Sequence, residues 1–167
     1  MTNIIEFEVP GKIISYKNPL IGSNKRLYTP KAAKIYKEYI QWAARKYMLI
    51  NNLEKLQGAI SIRIEAYFDI PKSYSKKKII EIKNNKFIYN SYPDSTDIQK
   101  LVEDALKNIC FDDDRFVSDI ETIKRYTMKK EAYLLIHLSS LKDSYEKICA
   151  VRHIRDVLGN VLTRIVR

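Results

Sequence analysis

PDSTDIQKLVEDALKNICFDDDRFV, residues 93–117, reads as a helix, an acidic loop and the start of a strand. Ile98, Leu101, Val102, Ala105 and Ile109 recur at three- and four-residue steps, which places them on one face of a helix from about Ser95 to Asn108. Asp97, Lys100 and Asp104 fall in a narrow stripe beside that face. Asp94 stands just before the helix, with Ser95 or Thr96 as its expected cap. Asp112-Asp113-Asp114 occupies the loop, and a strand is expected from about Phe116 to Tyr126.

The flanking sequence supplies the rest of the fold. From Ala59 to Phe68, Ile60, Ile62, Ile64 and Ala66 alternate with Ser61, Arg63 and Glu65, the pattern of a half-buried strand. Ile4 to Val9 is a second strand, stopped by Pro10-Gly11. Lys12 to Thr29 reads as irregular. Thr29-Pro30 supplies a cap and a first-turn proline for a helix reaching about Met48. Its core face is expected to hold Ala33, Tyr36, Ile40, Ala43, Ala44 and Tyr47. Tyr28, Tyr36, Tyr39 and Trp42 can stack on bases, but aromatics at helical spacing are read as core. Ser73 to Lys83 is compatible with a short helix. A last strand is expected from about Ala132 to Leu138, with Lys129-Lys130-Glu131 as a hairpin turn after the preceding strand. This order predicts an α+β fold, with helices packed on a small mixed β-sheet.

Residues 1–140 are expected to form that one domain, and 141–167 a C-terminal helical extension. In the extension Tyr145, Ile148, Val151, Ile154, Leu158, Val161, Leu162 and Ile165 recur at helical spacing, with Arg152, Arg155 and Arg164 between them and Gly159 as a weak point. That stripe needs cover from the domain or from a second subunit.

Thirty Lys and Arg against twenty Asp and Glu give a net charge of +10. Such a surplus suits a polyanionic partner, although a solvated lysine surface gives the same total. Lys12, Lys17, Lys25 and Arg26 can form a phosphate-contacting arm, and Lys76 and Lys77 a second basic contact; each run also reads as ordinary wet surface. Cys110 and Cys149 show no paired spacing, which fits free thiols. The N-terminus lacks the pattern of a signal peptide and no stretch approaches a membrane span, so a cytoplasmic protein is expected. No zinc-type Cys/His set or Gly-rich nucleotide loop is present, and His137 and His153 read as structural.

Three adjacent aspartates repel one another unless a cation sits among them. Magnesium takes oxygen ligands, typically one or two carboxylates with water and substrate phosphate, and such ions serve phosphodiester cleavage. Asp94 and the triplet are expected to meet around the ion, with Lys100 neutralising developing charge. The alternatives are a surface ion-pair ladder along Asp97, Lys100 and Asp104, and a turn at Asp112 to Asp114.

At these residues the sequence resembles the RusA family of Holliday junction resolvases, common in phages and prophages. The hallmark of that family, Pro/Arg-Asp-x-Asp-Asn-Leu-x-Lys, then Asp-Ala-Leu, then an Asp-Asp pair before a strand, is matched by PDSTDIQK, by DAL at 104–106 and by NICFDDDRFV at 108–117. FEVPGK and LYTPKAAKIYKEYI resemble the family's first strand, basic loop and first helix. The likeness covers about residues 4 to 138 and implies catalytic Asp94, Lys100 and Asp114. The family's second aspartate falls on Thr96; Asp97 is the expected replacement, with Asp113 helping, so the implied metal ligands are Asp94, Asp97, Asp113 and Asp114. The resemblance implies a Mg2+-dependent enzyme, Mn2+ able to substitute, acting as a homodimer that nicks branched DNA in pairs during recombination and repair. Competing readings are a nuclease acting on flaps, forks or RNA, a non-catalytic branched-DNA-binding module, and a basic protein-interaction domain.

Overall fold

A computed structural model describes residues 4–14, 20–21, 27–28 and 31–141. Strand β1 (Ile4–Pro10) buries every second side chain, Ile5, Phe7 and Val9. The segment read as irregular contains a two-residue antiparallel pair, β2 (Leu20–Ile21) with β3 (Leu27–Tyr28). Pairs so short leave too little periodicity to read from sequence. Helix α1 (Lys31–Ile50) follows; its expected cap at Thr29-Pro30 lies outside the described residues.

Strand β4 (Ile60–Phe68) buries Ile60, Ile62, Ile64, Ala66 and Phe68 and turns Ser61, Arg63 and Glu65 outward, as the alternation predicts. Ser75 caps the short helix α2 (Lys76–Lys83), its hydroxyl accepting from the Lys78 amide at 3.3 Å. Helix α3 (Ser95–Leu106) buries Ile98, Leu101, Val102, Ala105 and Leu106. It stops two residues short of expectation because Asn108 takes φ 65°, a left-handed position that asparagine tolerates and that ends helices. A 3-10 turn holds Asp114–Phe116, so β5 (Val117–Tyr126) begins one residue late. Strand β6 is Tyr133–Ser140.

The sheet order is β1-β6-β4-β5. Strand β6 is antiparallel to both β1 and β4, and β5 lies parallel to β4 at the edge. The expected hairpin between β5 and β6 is therefore absent: they are not neighbours, and residues 127–132 carry the chain across the end of β4. The mixed sheet with its three helices is the α+β fold that the element order predicts. Parallel pairing of β4 with β5 needs a long crossover, and that crossover contains α2 and α3.

Helices α1 and α3 pack together, α1 also meeting β1 and α3 meeting β5. The opposite face of the sheet is wetter, with Arg63 paired to Glu65 and Glu121, and His137 Nδ1 lying 3.0 Å from Glu6. Tyr36 is core as read, but Tyr39 and Trp42 are 37% and 55% exposed, which corrects their assignment. The spacing was right; they form a second stripe outside the core. Burial pushes the Cys110 thiol up to about 12, leaving it unreactive. The helical extension expected over 141–167 lies, from residue 142, outside the described residues, as do Cys149 and His153.

Candidate active site

Helix α3 runs antiparallel to β5, and charged groups collect at both of its ends. At its start Asp94 itself is the N-cap residue, in extended backbone (φ −71°, ψ 151°), without a side-chain cap bond. Ser95 and Thr96 lie in the first turn instead. The segment before Asp94 is tied down by Lys124 on β5, whose Nζ donates to the Ser91 carbonyl at 2.8 Å and the Pro93 carbonyl at 3.0 Å. The helix start also presents free amides and partial positive charge.

Around that end lie two clefts, one mostly apolar and one lined by four lysines, with Asp69 at both. Lys12, Ile13, Phe68, Tyr92 and Pro93 help to line one of about 740 Å³ beside Asp94. Lys72, Lys83, Lys129 and Lys130 help to line another of about 620 Å³ over the ends of β4 and β5. Of the lysines expected to touch DNA, Lys12 is thus brought to the Asp94 end. Lys76 and Lys77 are exposed on the first turn of α2. Lys17, Lys25 and Arg26 lie outside the described residues.

The far end of α3 holds the triplet. Lys55 pairs with Asp112 at 2.7 Å, and Lys107 Nζ sits 3.1 Å from Asp114 and 3.4 Å from Asp113. The Arg115 amide donates to Asp113 at 3.1 Å, and this bond is the main reason Asp113 titrates below the usual carboxylate range. The bond to Asp114 pushes Lys107 above its ordinary value. Glu103 moves the other way: burial first, then repulsion by Asp114 and Asp104, raises its pKa. Asp97, half-buried, and Lys100, exposed, stand between the two ends.

The structure therefore gathers Asp113, Asp114, Glu103 and Lys107, and it leaves Asp94 apart from them. Nine residues separate Asp94 from Glu103, about 13 Å along the axis at 1.5 Å per residue. A magnesium ion binds oxygen at roughly 2.1 Å. One ion cannot bridge that gap, so the expected convergence of Asp94 and Asp114 within a single chain is not what the fold provides. Among the described residues no three acidic, histidine or cysteine side chains are close enough to hold a metal. The donor chemistry still suits magnesium, which needs only one or two carboxylates when phosphate and water complete its shell. Asp113 with Asp114 offers such a partial set.

Glu103 and Lys107 were not singled out from the sequence, although a signal existed. Glu103 lies seven residues after Thr96 and three after Lys100, which is the same side of the helix. It places a carboxylate on the flank where the resemblance expects one at Thr96.

Because the folded state holds the Glu103 proton more tightly than the unfolded state, this group favours folding most in acid. Its ionisation penalises folding as pH rises through the carboxylate range. Glu103→Gln should accordingly raise the melting temperature in metal-free buffer at neutral pH, with the gain fading in acid. Melting curves of both proteins from acid to neutral pH check this, and a gain of equal size at every pH would contradict it.

A basic α+β domain with a lysine-lined cleft and acids at both ends of one helix has the equipment of a protein that handles nucleic-acid phosphates. The family is more specific. The chain belongs to the RusA endodeoxyribonuclease family, whose model, Endodeoxyribonuclease RusA, matches residues 10–137. No curated protein matches the chain. The matched residues run from the last residue of β1 into β6 and include Asp94, Lys100 and the aspartate triplet, so membership makes the domain an endodeoxyribonuclease and DNA its partner.

Proposed function

We propose that the protein is a Mg2+-dependent endonuclease, Mn2+ able to substitute, that resolves four-way DNA junctions by paired nicks as a homodimer. One observation carries the reading: the family's ordered acids fall at the two ends of α3, Asp94 at its start and Asp113-Asp114 at its finish, and the start has Lys12 and Lys124 beside it. Asp94, Asp97, Asp113 and Asp114 are the proposed metal ligands, with Glu103 added to them from its position against Asp114. The bound ion would activate water and stabilise charge on the scissile phosphate.

The chain's own groups do the rest. Lys100, exposed on α3, is the proposed partner for charge developing on the phosphate. Lys107 offsets the mutual repulsion of Asp113 and Asp114, the two carboxylates that would hold the ion. Lys124 fixes the backbone ahead of Asp94 and so aims that carboxylate. Separation of the acids favours the dimer: a two-fold partner can set its acidic loop beside Asp94 and complete at each site the ligand set that one chain keeps apart. Such symmetry also suits a substrate with paired equivalent strands.

Cleavage of a synthetic four-way junction by the full chain, with Mg2+ and with a chelator, tests the proposal. Binding without cutting in Mg2+ would favour the non-catalytic module instead. Junction affinity should also fall on the order of a thousandfold between 50 and 200 mM salt, as for proteins making six or more phosphate contacts. A Lys72→Ala/Lys130→Ala double variant should flatten that slope by about two, and an unchanged slope would remove the second cleft from the DNA path.

A further inference from the structure

Helix α1 carries two apolar stripes, and only one is buried. Ala33, Tyr36, Ile40, Ala43, Ala44 and Met48 face the core. Ile35 (55%), Tyr39 (37%), Trp42 (55%) and Leu49 (83%) are exposed on another side. Tyr39 and Trp42 stack with ring centroids 6.1 Å apart, and Lys46 Nζ lies 4.9 Å over the Trp42 ring. Positions 35, 39, 42, 46 and 49 step by four, three, four and three residues. That is the seam spacing of two packed helices. Single exposed apolar residues need no explanation, but a contiguous stripe of them marks an interaction surface.

The chain itself contains a matching stripe. Val151, Ile154, Leu158, Val161 and Ile165 step by three, four, three and four. Ile35 to Leu49 and Val151 to Ile165 each cover fifteen residues, about 21 Å of helix. The exit point fits as well. The Leu141 amide donates to the Ala59 carbonyl at 2.7 Å, and the Ser140 hydroxyl lies 3.5 Å from the Gln57 carbonyl. Gln57 and Ala59 belong to the connection that leaves the last turn of α1, where the Leu53 amide still donates to the Met48 carbonyl at 2.9 Å. The chain beyond residue 141 therefore starts at the end of the domain where α1 ends, and residues 142–150 are enough to bring Val151 to Leu49.

We propose that residues 151–165 dock as an antiparallel helix on the exposed stripe of α1 in the same chain, Val151 beside Leu49 and Ile165 beside Ile35. Both surfaces carry positive charge: Lys34, Lys37, Arg45 and Lys46 on α1, Arg152, Arg155 and Arg164 on the tail. Like charges oppose the meeting of two separate molecules. A covalent tether overcomes this by supplying a high effective concentration, which is why the occupant is the chain's own tail rather than a second copy's.

Trp42 is the sole tryptophan, so its emission reports on the stripe directly. In the full chain a Leu158→Glu/Val161→Glu variant should shift that emission to the red and raise its quenching by iodide severalfold. Emission and quenching identical to the parent would overturn the docking. Ile35→Cys with Ile165→Cys, in a Cys149→Ser background, gives a second readout; Cys110 is buried and does not compete. Oxidation should yield a disulfide within the monomer. A disulfide-linked dimer, or no bond at all, would overturn docking within one chain.

Discussion

Asp114→Asn, and separately Asp94→Asn, should lower junction cleavage about a thousandfold while junction binding stays equal or tightens. A metal site contributes several kcal/mol of transition-state stabilisation, and each 1.4 kcal/mol or so is worth tenfold in rate. Binding is compared in chelator, where no ion bridges acid and phosphate and removing a negative charge cannot weaken the attraction of the site for phosphate. Nor should the fold suffer much: Asp94 makes no side-chain cap bond, and Asp114 is an exposed partner of Lys107, a kind of pair that solvent screening leaves with little effect on stability. Single-turnover cleavage, binding and melting on the same preparations separate the possibilities. Unfolding of both variants would make these acids structural. Asp97→Asn and Thr96→Ala decide which residue stands in for the family's second aspartate; if only Thr96→Ala is inactive, the role proposed for Asp97 is wrong.

The second large effect is on stability. Phe111→Ala should destabilise the domain by about 3–5 kcal/mol, the usual result of deleting a fully buried aromatic ring. At about 2–4 °C per kcal/mol for a chain of this size, the melting temperature should drop by roughly 6–20 °C. Phe111 is 0% exposed, its carbonyl accepts from the Asn108 amide at 2.7 Å, and it pairs in a short bridge with Lys107. The ring anchors the loop that carries Asp112 to Asp114, so the same substitution should blunt cleavage even below the melting range. Phe111→Leu keeps most of the volume and should cost far less. A loss under about 1 kcal/mol for the alanine variant would mean that this loop is not packed as described.

What the sequence revealed follows the range of the forces involved. Alternation in β4 and the three-and-four spacing in α3 are local patterns, and both elements lie where those patterns put them. Strand order is not local. The basic turn between β5 and β6 looked like a hairpin, but β6 is drawn between β1 and β4, where Leu134, Ile136 and Leu138 reach full burial. In α1 periodicity found the buried face through Ala33, Tyr36, Ile40, Ala43 and Ala44, but residue type alone assigned Tyr39 and Trp42 to the core, and they stand outside it. For the site, residue types were legible and their distances were not. Acids close in sequence flank a helix of twelve residues, about 18 Å long, which holds them apart. Glu103 follows Thr96 by two turns and stands at the edge of the Asp97, Lys100 and Asp104 stripe, so no acidic pattern of its own marks it in the sequence.

The most direct test of the central claim is a comparison of substrates. The full chain should be incubated with a four-way junction and with a linear duplex of the same arm sequence, each in Mg2+ and in chelator. Paired nicks placed symmetrically across the junction, in Mg2+ alone and with the duplex left intact, are the predicted result. A junction that is bound by folded protein yet stays uncut in Mg2+, or a duplex cut equally well, would contradict it.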